Sequence, residues 1–220
     1  MRLNMVKTGT TPRFAACVAT VIVLGAGATP ASAHFATGWY TYTDRDGNGA
    51  CHNKVDPVNV VFYGSKAFAR STKHNIIRHM NWRDTGGSGQ YFVTHGICYG
   101  MDFQQASGAT NESRFHIRGK QGKDRDSKGR YETVGDAHHE DFSHNLGCNF
   151  GFGKHAVDQN GSNGSGFDQG RVAMKRRFQD RGHAAKYVRK GNKRKFRQCD
   201  GGYAGSNGLV AWIQVTHFKH

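Results

Sequence analysis

One stretch of the chain, Arg114–His144, gathers residue types that can move protons, bind metals or hold anions. A turn-rich insert, 123–129, divides the stretch into two groups. If the groups converge, such side chains can bind a metal or transfer protons at a phosphate ester. A solvated hairpin without chemistry is the competing interpretation. The two groups are Arg114, His116 and Arg118 before the insert, and Asp136, His138, His139, Glu140, Asp141 and His144 after it.

A β-hairpin is the element that would bring the two groups together. Residues 113–120 and 130–138 have strand character, and the insert between them favours a turn. Because alternate residues of a strand share a face, His116 and Arg118 are expected on the same side of the hairpin.

The register of this hairpin decides which side chains meet. A turn centred in the middle of the insert predicts His116 opposite Ala137 and His138 opposite Phe115. A slip of one residue would turn a different set of side chains to each face.

Two mechanisms fit these residues. In the first, His116 and His138 act as acid and base, and Arg118 stabilises the charge of the transition state. In the second, a divalent metal activates water. The candidate ligands for that metal are His139, Glu140 and His144, with His116, His138 and Asp141 as alternatives.

The first 33 residues predict a secretory signal peptide. Basic residues precede an apolar run, Phe14–Ala28, and small residues follow before the expected cleavage after Ala33. The run is shorter than the roughly 20 apolar residues that cross a bilayer. We therefore expect an exported, soluble domain over residues 34–220, without a transmembrane segment.

Four cysteines remain once Cys17 leaves with the signal peptide. Outside the cell they predict two disulfides. Sequence proximity favours Cys51–Cys98 and Cys148–Cys199, although three connectivities are possible. Short paired spacings such as C-x2-C are absent from the sequence, which excludes a four-cysteine zinc site of that type.

The chain is strongly basic, with a formal net charge of +15. The signal peptide accounts for three of these charges, so the remaining domain carries +12. Such a charge predicts a polyanionic neighbour, namely nucleic acid, teichoic acid or an anionic surface. The competing interpretation is that the charge serves solubility alone. Aromatic residues interleave the basic run 186–197 and could stack on bases. The residues predicted to bind the polyanion are Arg176, Arg177, Lys186, Arg189, Lys190, Lys193, Arg194, Lys195 and Arg197.

The remaining patterns predict an α+β domain, rich in loops, with a mixed or antiparallel sheet and two main helices. The helices are expected over 65–82 and 168–180, where apolar residues recur at helical spacing. The spans 56–64, 91–94 and 209–215 predict strands, and 104–112 predicts a loop.

Three landmarks in the sequence resemble LssY C-terminal-like bacterial domains. The first is 56–65, DPVNVVFYGS; the second is 114–118, RFHIR, followed by 134–137, VGDA. The third is 154–158, KHAVD, followed by Asp168-x-x-Arg171. Together they cover roughly residues 56–180. The resemblance implies a shared fold and carries no reaction or catalytic residue with it. The cysteines, the basic tail and the doubled His138–His139 depart from the pattern.

Other motifs are incomplete. His139 and His144 are five residues apart, whereas the zinc-protease motif H-E-x-x-H needs four. Asp44–Gly49 resembles half of a calcium loop, but Val55 occupies the position of the bidentate glutamate, so a plain turn is expected. A Ser nucleophile in a G-x-S-x-G elbow is absent from the sequence.

Two functions compete at this point. The first is a secreted phosphodiester hydrolase, such as a nuclease, that uses the histidine and arginine cluster and holds its substrate on the basic tail. The second is a non-catalytic extracellular module that binds polyanions through the same tail.

Overall fold

Two β-sheets and one helix form the part of the chain that the computed structural model describes. The described residues are 40–65, 80–85, 90–94, 97–108, 113–125, 130–140, 165–197 and 203–215. In chain order the elements are β1 (Tyr40–Arg45), β2 (Cys51–Pro57), β3 (Val60–Gly64), β4 (Arg83–Asp84), β5 (Tyr91–Thr94), β6 (Ile97–Gly100), β7 (Phe103–Ala106), β8 (Arg114–Arg125), β9 (Tyr131–Glu140), α1 (Gly166–Asp180), β10 (Ala184–Arg197) and β11 (Tyr203–Val215).

The larger sheet has seven strands in the order β10-β11-β3-β9-β8-β7-β4, and only β11 and β3 pair in parallel. The smaller sheet has four strands in the order β2-β1-β5-β6, all antiparallel. A disulfide joins Cys51 to Cys98 and thereby ties the two outer strands of the small sheet together. This is the pairing expected from sequence proximity. The second predicted pair, Cys148–Cys199, lies outside the described residues.

The large sheet is covered on both faces, as the alternation along β3 shows. Val60 and Phe62 pack with α1, whereas Val61 and Tyr63 pack with Phe92 of the small sheet. All four side chains are buried because β3 lies in the middle of the sheet. This explains why 60–64 is a continuous apolar run rather than an alternating one.

Helix α1 is amphipathic, and its ends are well defined. Phe167, Gly170, Met174 and Phe178 are buried at the spacing of a single helical face. After the helix, Gly182 adopts a left-handed conformation with φ 85° and donates to the Gln179 carbonyl, and the His183 N–H donates to the Phe178 carbonyl. This arrangement is a Schellman motif, which satisfies carbonyls that the helix end leaves unpaired.

The predicted fold class is wrong. The described residues form eleven strands and one helix, so the domain is mostly β rather than α+β with two main helices. The helix predicted at 168–180 is confirmed with a start at Gly166, while most of 65–82 lies outside the described residues. The predicted loop at 104–112 contains β7, because a short strand held by backbone pairing on both sides needs little apolar periodicity.

Gly170 lets the helix approach β9 without an intervening side chain. A Cβ at this position would lie 2.5 Å from the Ala137 carbonyl carbon and 2.5 Å from the His138 Cα. Asn59 holds the same region, since its side chain bonds the Ala137 N–H and carbonyl and the Phe167 carbonyl at 2.8, 2.7 and 2.9 Å. The helix and the strand are therefore joined by the close approach of their backbones at Gly170 and by the hydrogen bonds of the Asn59 side chain.

We expect Gly170→Ala to lower the free energy of unfolding. Alanine favours a helix by about 1 kcal/mol over glycine, but the overlap with the β9 backbone should cost about 1–3 kcal/mol or more. Denaturant unfolding measures the difference. Gly100→Ala is the matched control, because a Cβ there meets no atom within 4 Å. Equal stability of the two variants would contradict the close approach.

Among the described residues, no helix combines the length and apolar character needed to span a membrane.

Candidate metal centre

The hairpin of β8 and β9 brings the two groups of chemically active residues together. Its register pairs Arg114 with Glu140, His116 with His138 and Arg118 with Asp136. Residues directly opposite each other on antiparallel strands lie on the same face. All six side chains therefore share one face, on which each arginine is opposite an acid and the two imidazoles are opposite each other.

The predicted register is wrong by one residue. His116 was expected opposite Ala137, but Ile117 takes that partner. The pairing is irregular between Gln121 and Arg125, so the distance to the turn cannot be counted evenly along both strands.

His116, His138 and Glu140 form a compact triangle of potential ligand atoms. His116 Nδ1 lies 3.3 Å from His138 Nε2 and 3.0 Å from Glu140 Oε1, and His138 Nε2 lies 3.3 Å from the same carboxylate oxygen. The three side chains are 0 to 1% exposed. These three groups could hold a metal ion.

The size of this triangle matches one face of a tetrahedral zinc site. Ligands 2.0–2.1 Å from zinc at tetrahedral angles are about 3.3 Å apart. A donor set of two imidazoles and one carboxylate suits zinc and neighbouring transition metals, whereas calcium and magnesium prefer oxygen ligands throughout.

A second set of residues orients the triangle. Asp136 Oδ1 lies 3.1 Å from His138 Nδ1, which leaves Nε2 of the same ring directed at the triangle. Arg114 Nε donates to Glu140 Oε2 at 2.6 Å. A carboxylate behind a ligating histidine is the usual outer partner of such a ligand, since it fixes both the tautomer and the orientation of the ring.

The small sheet completes the network. Arg118 lies 3.7 Å from both Asp136 Oδ2 and Asp56 Oδ2, and Gln90 Nε2 donates to Asp56 Oδ2 at 3.1 Å. Since two carboxylates flank its guanidinium, Arg118 acts here as an organiser of the network. The sequence-based role of Arg118 as a charge stabiliser for substrate is not supported by this placement.

The charged side chains of this network do not balance one another. Among the described residues, two guanidiniums and three carboxylates give a net charge of −1 when both imidazoles are neutral. A buried negative charge is costly unless a cation balances it. Either a proton on an imidazole or a metal ion can supply that balance. The charged residues are Arg114, Arg118, Asp56, Asp136 and Glu140.

The pKa values of the two imidazoles are shifted in opposite directions. Burial alone would lower the pKa of His138, but the charge and hydrogen bond of Asp136, joined by those of Glu140, raise it to about 9. Burial lowers the pKa of His116 to about 3, and the charge of Arg118 adds to that shift while Glu140 opposes it. His138 therefore carries the balancing proton in the metal-free protein.

Glu140 stays ionised between them. Burial alone would raise its pKa, but the charges and hydrogen bonds of His116 and His138 hold it well below the ordinary value. In the metal-free state both rings therefore donate to Glu140 Oε1, and a metal ion would replace those two donated hydrogens.

The structure separates the sequence-predicted site residues into three sets. His116, His138, Arg118 and Glu140 converge. His139 belongs to the opposite face, where its ring lies 4.9 Å from the Phe115 ring, so its prediction as a ligand is wrong because strand residues alternate. His144 lies outside the described residues.

Four members of the network had no role in the sequence-based prediction. Arg114 and Asp136 belong to the same stretch and would have followed from the correct register. Asp56 belongs to β2 of the small sheet and Gln90 immediately precedes β5, and their contribution depends on how the two sheets pack, for which the sequence contains no local signal.

The predicted polyanion residues lie on α1 and β10. Arg176 and Arg177 are exposed on α1, and Lys186 and Lys195 are exposed on β10. The backbone of the remaining ones follows β10, which pairs with β11 as far as Arg197. These remaining residues are Arg189, Lys190, Lys193, Arg194 and Arg197.

The turn between β1 and β2 is built around Asp46. Its Oδ1 accepts from the backbone N–H groups of Asn48 and Ala50 at 2.9 and 2.8 Å, and its Oδ2 lies 2.9 Å from His52 Nε2. The carboxylate thus organises the backbone of the turn.

No family model, curated protein or solved structure matches this chain. The resemblance to LssY C-terminal-like domains therefore stays a prediction, and the chemistry has to be inferred from the site itself.

We expect the metal-free protein to lose stability above neutral pH. His138 has a raised pKa, so its contribution is complete below pH 6.5, its ordinary value, and is lost as pH rises towards 9. The loss should be about 3 kcal/mol. Denaturant unfolding in the presence of a chelator, between pH 6 and 9, measures it.

Asp136→Asn removes the main cause of that raised pKa, so the variant should be less stable at pH 6 and nearly independent of pH up to 9. His139→Ala is the control, since His139 is the neighbour outside the network, and should keep the wild-type slope. An unchanged slope in Asp136→Asn would show that His138 does not carry the proton.

Proposed function

We propose that this protein is an exported, metal-dependent phosphodiester hydrolase whose metal is held by His116, His138 and Glu140. The observation that carries the proposal is the triangle of three ligand atoms 3.0 to 3.3 Å apart. Two histidines and a glutamate form a ligand set used by catalytic zinc, with the fourth position taken by water or substrate.

Electrostatics support a metal at this place. A divalent ion would replace the two hydrogens directed at Glu140 Oε1: the extra proton of His138 would leave, and the Nδ1 proton of His116 would move to Nε2. The net charge of the described network would then change from 0, with His138 protonated, to +1. That change favours an anionic substrate over a cationic one. Such a metal, when held by these three residues, would supply the acidity needed to activate water for hydrolysis, in which one P–O ester bond breaks and an alcohol leaves.

The free energy of metal binding is also expected to exceed the cost of rearranging the proton of His116. With Nδ1 as the ligand atom, the proton of His116 moves to Nε2, for which the described residues supply no hydrogen-bond partner. An unpaired buried N–H costs about 1–3 kcal/mol. Structural zinc sites bind with apparent free energies of about 10–16 kcal/mol, which exceeds that cost severalfold.

The substrate class rests on charge. The chain carries 31 Lys and Arg against 16 Asp and Glu, an excess suited to a polyanionic phosphodiester. Export rests on the signal-like first 33 residues, which place the enzyme where nucleic acids and cell-wall polymers are the available polyanions.

Metal titration tests the site directly. We expect the chelator-treated protein to bind one zinc ion per chain, measured by calorimetry or by competition with a chromogenic chelator. His138→Ala and Glu140→Gln should each abolish tight binding, and Asp136→Asn should weaken it by about 10–100-fold. His139→Ala is the matched control and should bind like the wild type. Circular dichroism of each variant verifies that it is folded.

Hydrolysis is measured on the same proteins with bis(p-nitrophenyl) phosphate, plasmid DNA and RNA. Cleavage should require the metal, stop with EDTA and return when zinc is restored. Because the ligand atoms are buried, the assay also separates an open catalytic centre from a closed structural one. Stoichiometric metal binding without cleavage of any of these substrates would reject the hydrolase.

A further inference from the structure

A second surface of the molecule combines cations with an exposed aromatic ring. It consists of Lys175, Arg176 and Arg177 on α1 together with Tyr187 on the adjacent strand β10, and is called the basic face below. Arg176 and Arg177 are exposed, while Met174 and Phe178 on the other side of the helix are buried. The helix thus presents its positive charge outwards.

Tyr187 is held in place by cations. The Lys175 Nζ lies 4.6 Å from the centre of its ring and the Arg171 Cζ lies 5.4 Å from it. Arg171 is itself fixed by Asp168, Asn207 and the Leu209 carbonyl at 2.7, 3.0 and 3.2 Å. Tyr187 as a whole is nevertheless 39% exposed, so it forms a supported aromatic platform at the surface.

The sequence of strand β10, which carries Tyr187, is itself strongly basic. It is an edge strand, and its 14 residues include seven Lys and Arg and no acid. Lysines on an edge strand also prevent unwanted pairing with other sheets. That role does not require the additional cations of α1 or a large exposed aromatic ring next to them.

The basic face and the metal centre lie on opposite faces of the large sheet. Tyr187 pairs with Ala211, which packs with α1, whereas Val61 and Val134 pack with the small sheet. Asp136 follows Val134 by two residues and therefore shares its face. The expectation that the basic tail delivers substrate to the histidine cluster thus has no support in this arrangement.

We propose that the basic face binds single-stranded nucleic acid, with a base stacked on Tyr187 and backbone phosphates held by Lys175, Arg176 and Arg177. Cations alone would accept any polyanion. An exposed ring among them favours a ligand with aromatic bases over teichoic acid, and single strands over a duplex, whose bases are already stacked. This inference does not rest on the metal centre.

Fluorescence anisotropy with a labelled 12-nucleotide single strand tests the proposal on the full chain in EDTA. Stacking on an aromatic ring contributes about 1–3 kcal/mol per base. We therefore expect Tyr187→Ala to weaken binding about tenfold or more, with the salt dependence preserved, while Tyr187→Phe keeps the affinity. Thermal unfolding verifies that both variants are folded.

A charge variant tests the phosphate contacts and does not touch the core. Lys175→Gln, Arg176→Gln and Arg177→Gln combined should reduce the slope of log affinity against log salt by about 2, since each single-strand phosphate contact contributes about 0.7. The matched control is Lys54→Gln, which removes an exposed lysine that also lies over a tyrosine ring, Tyr40, on the small sheet at 4.9 Å. It should leave affinity almost unchanged.

Several results would overturn the proposal. Equal affinity for single strands, duplex DNA and polyglycerol phosphate would show that binding is purely electrostatic. So would wild-type affinity in Tyr187→Ala. A loss per charge in Lys54→Gln as large as in the helix variant would show that net charge, rather than the basic face, determines binding.

Discussion

The pairing of His116 with His138 across β8 and β9 is the constraint on which the rest of the site depends. One register places an arginine opposite an acid on either side of the imidazole pair, and it turns Ile117 and Ala137 towards the helix as part of the apolar core. Because the side-chain period of a strand is two, a neighbouring register would separate His116 from His138 and expose polar groups to the helix side. The same pairing thus builds the core and the candidate metal centre.

Because the network is buried, its positive and negative charges must balance. Every charged member is at most 11% exposed, so an unbalanced charge there is far more costly than in water. Arg114 and Arg118 compensate part of the negative charge, and Asp56 from the small sheet increases it again. One positive charge is still required, and His138 can take it as a proton. A protein with only a structural use for this region could have replaced it with apolar side chains, which are often as stabilising.

Part of the fold and of the candidate metal centre could be predicted from the sequence. The hairpin, the helix ending at Asp180 and the Cys51–Cys98 disulfide follow from local patterns: turn residues, helical spacing and the proximity of two cysteines. The convergence of His116, Arg118 and His138 was also expected, although the predicted register, shifted by one residue, would have placed His116 and His138 on opposite faces. The fold class was missed because β2 and β7 lack alternating apolar residues, and their pairing partners, rather than their own side chains, hold them as strands. Asp56 and Gln90 were missed because sheet packing is a long-range property.

The contact at Gly170 has a further consequence. Since a Cβ at Gly170 would lie 2.5 Å from the His138 Cα, a change in the position of α1 requires a change in the position of the β9 backbone. The first turn of the same helix carries Phe167, whose ring lies 5.9 Å from the His138 ring. A ligand that tilts α1 from its exposed side, at Arg176, would therefore also displace His138 Nε2, one of the three atoms proposed to hold the metal ion.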